Sequence, residues 1–120
     1  MEPKQAHDLL LSATWEDFGT FTLLRLGQDP GICRMTELRV ALRALWRHWR
    51  SQEALPFDIA GATAMILHFR DECSRNLQSA GVIREKLLAF ELPDVVQRAF
   101  DLLSGPEADG WVVPRPDLEG

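Results

Sequence analysis

Cysteine is scarce in this chain: Cys33 and Cys73 are the only two. They supply no disulfide framework, and a reduced, cytoplasmic setting is expected. The N-terminus reads Met-Glu-Pro-Lys-Gln and lacks the basic segment and apolar stretch of an export signal. Long hydrophobic runs are missing too. The longest uncharged stretch, 59–69, is too short to span a bilayer, so no membrane role is expected. There is no internal repeat, no low-complexity tract and no glycine-rich phosphate loop between a strand and a helix. Basic residues are outnumbered, 13 to 18, giving a net charge of −5. Such a chain is not a bulk polyanion binder.

What is present is an ordinary globular mix. Of 120 residues, 46 % are apolar and 26 % charged, which excludes a disordered or collagen-like chain. At this size one core is expected, in a single domain over 1–105. The segment 106–120 is a proline- and glycine-rich tail that cannot build structure alone. Its Trp111, Val112 and Val113 are expected to dock, on their own domain or on a partner.

Helical periodicity dominates. Pro3 suits the start of a first helix over 3–13, carrying Leu9, Leu10 and Leu11. Thr14 with Asp17 reads as a capping box. It opens a helix over 14–27 with Trp15, Phe18, Thr22 and Leu26 on one face; a strand over 21–26 is the competitor. Gly27 closes this segment, and Asp29-Pro30-Gly31 makes a turn. The next helix is 35–50, capped by Thr36, with a seam of Met35, Leu38, Leu42, Leu45 and Trp49 widened by Trp46. A long central helix follows near 59–80, capped by Asp58 and ended by Gly81. Its stripe is Ile59, Ala62, Ile66, Phe69, Cys73, Leu77 and Ala80, with Leu67 off to one side. Two shorter helices, 82–91 and 93–104, are separated by Pro93, the second with a stripe of Val96, Ala99, Phe100 and Leu103 and a Gly105-Pro106 stop. The sum is an all-α bundle of four to six helices with an irregular C-terminal tail.

Charge is unevenly placed. Residues 34–50 hold five arginines and one glutamate, net +4, whereas 1–33 are net −3 and 51–120 net −6. Arg39, Arg43, Arg47 and Arg50 form a ridge beside the seam, with Arg34 nearby. In an otherwise acidic chain, salt bridges within or between subunits are the favoured use of this ridge. Contact with a phosphate backbone is the alternative. The pair 82–91 and 93–104 as a helix-turn-helix would present Gln97 and Arg98, but Asp94 and Asp101 beside them repel phosphate.

No catalytic constellation emerges. His68, Asp71 and Glu72 have helical metal-ligand spacing, yet lie opposite the apolar stripe and read as a solvated face. Phosphotransfer bundles expose a mid-helix histidine, but the lysine-glycine pair expected after it does not follow His68. Cys73 sits in the apolar stripe as a small hydrophobe. Cys33 beside Arg34 has no local histidine as a base. No metal and no cofactor are expected.

The residues singled out are Arg39, Arg43, Trp46, Arg47, Trp49 and Arg50. Tryptophan and arginine are enriched in interface hot spots. The expected function is a non-catalytic adaptor, regulator or accessory subunit. Its partner would be an acidic and apolar protein face, or a second copy in a homodimer. A nucleic-acid-binding regulator using the same ridge is the alternative.

Overall fold

The computed structural model describes residues 1–52, 54–81 and 86–104. Among them the regular structure is helical throughout, with no strand at 21–26 or elsewhere. Helix α1 (Pro3–Trp15) opens at its proline, whose missing N–H is no loss in a first turn. Ala6, Leu10, Ala13 and Thr14 are its buried face. The capping box expected at Thr14 does not form. The Thr14 hydroxyl instead donates to the Leu10 carbonyl at 2.8 Å, inside α1. The chain turns at 16–19, and α2 (Thr20–Arg25) buries Thr20, Phe21 and Leu24. That break separates residues that one continuous helix would have aligned, so Trp15, Phe18 and Leu26 are exposed rather than sharing a packed face.

Two glycines seat α2 between its neighbours. A Cβ on Gly19 would lie 2.4 Å from the Ser12 carbonyl oxygen. At Gly27 φ is +78° and a Cβ would lie 2.6 Å from the Asn76 carbonyl oxygen. A residue without a side chain is needed at both ends of α2.

Helix α3 (Ile32–Trp49) follows Gly31, which caps it, so Thr36 lies within the helix instead of starting it. Met35, Leu38, Ala41, Leu42 and Leu45 are buried, as the seam predicts. The expected central helix is helical but not continuous. It divides into α4 (Phe57–His68) and α5 (Arg70–Ser79) at Phe69, where φ is −102° and ψ 13°. Pro56 caps α4, and Asp58 falls in its first turn. Ile59, Ala62, Ile66, Cys73 and Leu77 are buried as predicted, whereas Ala80 is exposed at the end of α5. Gly81 adopts the expected left-handed conformation, φ 79°.

A helix boundary was expected before Pro93. Instead the chain is helical from Lys86 through a π-turn, Leu87–Glu91, into α6 (Leu92–Ser104). Proline removes a donor and crowds the carbonyl four residues back. The wider turn just before it, closed by the Leu92 N–H on the Leu87 carbonyl, accommodates that ring. The helix-turn-helix reading thereby loses its turn. Inward residues of α6 are Leu92, Val95, Ala99 and Leu102. The stripe is thus one residue earlier than expected, and Phe100 is exposed. Val82, Ile83, Gly105-Pro106 and Trp111, Val112 and Val113 lie outside the described residues.

Helix α3 packs on α1 and α6, and α4 also packs on α1 and α6, closing a ring of four helices. Helix α2 leans on α1 and α5 at one end. Buried apolar side chains from all these elements form one cluster. Helices α1 and α3 run antiparallel: Met1 and Pro3 lie against His48, while Arg34 donates to the Phe18 carbonyl. Helices α3 and α6 run parallel, because Asp94 meets Arg39 and Asp101 lies beside Trp46. None of the described helices is long and apolar enough to cross a membrane.

Candidate partner-binding surface

The seam of α3 fixes where its arginines point. With Met35, Leu38, Ala41, Leu42 and Leu45 in the core, the ridge arginines fall roughly 100–180° around the axis from the middle of that face, at about 100° per residue, and so point away from it. The four ridge arginines nevertheless meet different surroundings. Arg39 is half-buried, and its Nε lies 3.2 Å from Asp94, which also accepts from Arg98 at 3.1 Å. This charge is consumed inside the bundle. Arg50 lies over the Trp46 ring, 4.4 Å from guanidinium carbon to ring centroid. Arg43 and Arg47 are exposed, and neither has an ion pair with a described residue. Arg34, nearby in sequence, is held on the Phe18 carbonyl at the other end of α3.

The two tryptophans are not free-standing anchors. Both are half-buried and packed against the core. Trp49 meets the His48 ring edge-on, with centroids 4.9 Å apart. Trp46 keeps one side open to a depression of about 280 Å³ between α3 and α6, lined by Leu42, Arg43, Trp46, Arg98 and Asp101. Thr36, Arg39, Val40 and Arg43 of α3, with Asp94 and Arg98 of α6, line a second, of about 190 Å³. A third, of about 520 Å³, lies on the α1 side of α3 between Met1, Pro3, Val40, Arg43, Ala44, Arg47 and His48. Arg43 borders all three.

The structure thus brings Arg43 and Trp46 to one groove, places Arg47 on the adjacent face, and withdraws Arg39 and most of Trp49 into packing. Val40, 43 % exposed, and His48 join the surface and were not singled out from the sequence. The seam spacing carries a signal for Val40, since it falls opposite Leu38 and Leu42 yet beside Arg43. No spacing rule could have supplied Arg98 and Asp101, which come from α6.

The remaining polar clusters do not assemble into chemistry. The break at Phe69 parts His68 from Asp71 and Glu72. His68 stacks edge-on against Phe69, and Glu72 lies 3.7 Å from Arg25. Among the described residues no group of three or more His, Cys, Asp or Glu is placed to hold a metal ion. Cys33 is exposed and Cys73 buried, both as free thiols. Burial pushes the Cys73 thiol up to about 12, against the pull of Arg25, which leaves it protonated and unreactive. No protein-family model matches the chain, and no curated protein and no solved structure matches it significantly.

Proposed function

We propose that this protein is a non-catalytic interaction module, an adaptor, regulator or accessory subunit, that binds an acidic and partly apolar protein surface along the outer face of α3. The observation that carries this reading is Arg43: exposed, without an acidic partner among the described residues, and bordering three adjoining depressions. Arg47 and Arg98 extend the positive edge, and Val40 and Trp46 offer apolar contact. Exposed guanidinium groups steer association and select sign, while the half-open Trp46 face supplies buried area. Two unpaired cysteines fit a reducing, cytoplasmic setting.

Self-association is less well supported than a different, acidic partner. A two-fold interface repeats the same patch on both sides, so pairing α3 with its own copy sets arginine against arginine. The test is binding of a labelled peptide in which glutamates alternate with leucine and tryptophan, followed by fluorescence anisotropy. Binding should weaken at least about tenfold in Arg43→Glu/Arg47→Glu, and should weaken as salt rises. Peptide binding that ignores both changes would sink the reading. Gel shift of DNA and RNA at two salt concentrations, steeply salt-dependent and with no peptide binding, would replace it with the nucleic-acid alternative.

A further inference from the structure

The α3–α6 groove has a candidate occupant in the chain itself. The residues after Ser104 carry Glu107, Asp109, Asp117 and Glu119 against Arg115 alone, a net charge of −3, around the apolar triplet Trp111-Val112-Val113. That is the chemistry proposed above for the partner. The geometry brings it close. Asp94 pairs with Arg39 and Asp101 lies beside Trp46, a constant offset along two parallel helices. By the same offset Ser104 ends α6 level with Trp49. From there Arg43 lies only about 9 Å back along the α3 axis at 1.5 Å per residue. The seven residues from Ser104 to Trp111 can extend about 23 Å. The triplet therefore reaches the whole groove without strain on the linker, and Gly105, Pro106 and Gly110 suit a reversal of direction.

We propose that the groove between α3 and α6 is a docking site for the chain's own segment 107–113. Trp111 enters the depression beside Trp46, and Glu107 and Asp109 face Arg43 and Arg98. Asp101 also borders this depression. It accepts from the neutral Gln97 amide at 2.9 Å and keeps its own charge; Arg39, Arg43 and Arg98 against Asp94 and Asp101 still leave the groove one positive charge in excess, and Arg43 is the arginine there without an acidic partner among the described residues. A tethered segment acts at an effective concentration in the millimolar range, so even a weak contact competes with an external ligand. The module is then self-masked, and a partner must displace the tail. This rests on the reading of α3 as a receptor for acidic, apolar ligands.

The test uses the full chain. Amide exchange followed by mass spectrometry should show residues 109–114 protected about tenfold or more over coil rates, and Arg43→Glu should abolish that protection. In parallel, the Glu107→Lys/Asp109→Lys/Trp111→Ser variant should bind the labelled glutamate–leucine–tryptophan peptide about tenfold tighter than the unaltered chain. Coil-like exchange of 109–114, with equal peptide affinity in both proteins, overturns self-masking. If that peptide binding still depends on Arg43, the surface stands and only its internal occupant falls. If the peptide binds neither protein, the surface itself falls, and self-masking with it.

Discussion

Gly27 and Gly61 illustrate how one residue type has opposite consequences at two positions. Gly27 holds a positive φ, and any Cβ there meets the Asn76 carbonyl. Gly27→Ala should destabilise by about 1–3 kcal/mol in urea unfolding. Gly61 lies mid-helix in α4, exposed, with nothing within 4 Å of a built Cβ. Gly61→Ala should stabilise by roughly 0.5–1 kcal/mol, because alanine restricts the unfolded chain without meeting anything in the folded one. Cys73 gives a second residue-scale prediction. Its pKa is raised from 9.0 to about 12 by burial, so folding holds the proton that the unfolded chain releases. The sign follows from linkage: the stabilisation is whole below about pH 9 and declines from there toward 12. The urea midpoint should fall between pH 8.5 and 10.5, and Cys73→Ala should flatten that slope even though it lowers overall stability. A slope unchanged in the variant would show that another group carries it.

The two breaks in the helical pattern behave differently as elements. The apolar stripe 59–80 reads as continuous because Ile66, Phe69, Cys73 and Leu77 keep the three-four spacing across the junction. No proline or glycine marks the break, so no local signal announces it. Its cause is tertiary. Helix α5 packs chiefly on α2, whereas α4 packs chiefly on α1 and α6. Arg25 lies 3.8 Å over the Phe69 ring and 3.7 Å from Glu72, and Asn76 donates to the Arg25 carbonyl at 2.5 Å. Arg25→Ala should therefore loosen α5 before the four-helix ring. Amide exchange over 70–79 should accelerate more than over 35–45, with a loss of about 1–2 kcal/mol in global stability. The second break, at Pro93, was legible as a disturbance but not as its remedy. Sequence alone favours a helix end there, and the structure answers with a π-turn. The one-residue displacement of the α6 stripe could not be read either, since Val95-Val96 and Leu102-Leu103 satisfy both phases equally.

Across the whole molecule, the seam of α3 and the arginine ridge beside it were legible because both repeat at helical spacing. Which arginines remain available was not, because that depends on which acid another helix brings opposite each one. Asp94 of α6 neutralises Arg39, and nothing described does the same for Arg43 or Arg47. Stability should divide along that line. Arg39→Glu sets a new carboxylate against Asp94 at a half-buried position and should cost about 1–3 kcal/mol in urea unfolding. Arg43→Glu/Arg47→Glu should change stability by less than about 0.5 kcal/mol per site, although it alters net charge twice as much. If long-range charge balance governed the fold, the double variant would be the worse one. If local pairing governs it, the single variant is. The same double variant then tests association on a protein that remains folded, which separates recognition by α3 from its role in holding α1 and α6 together.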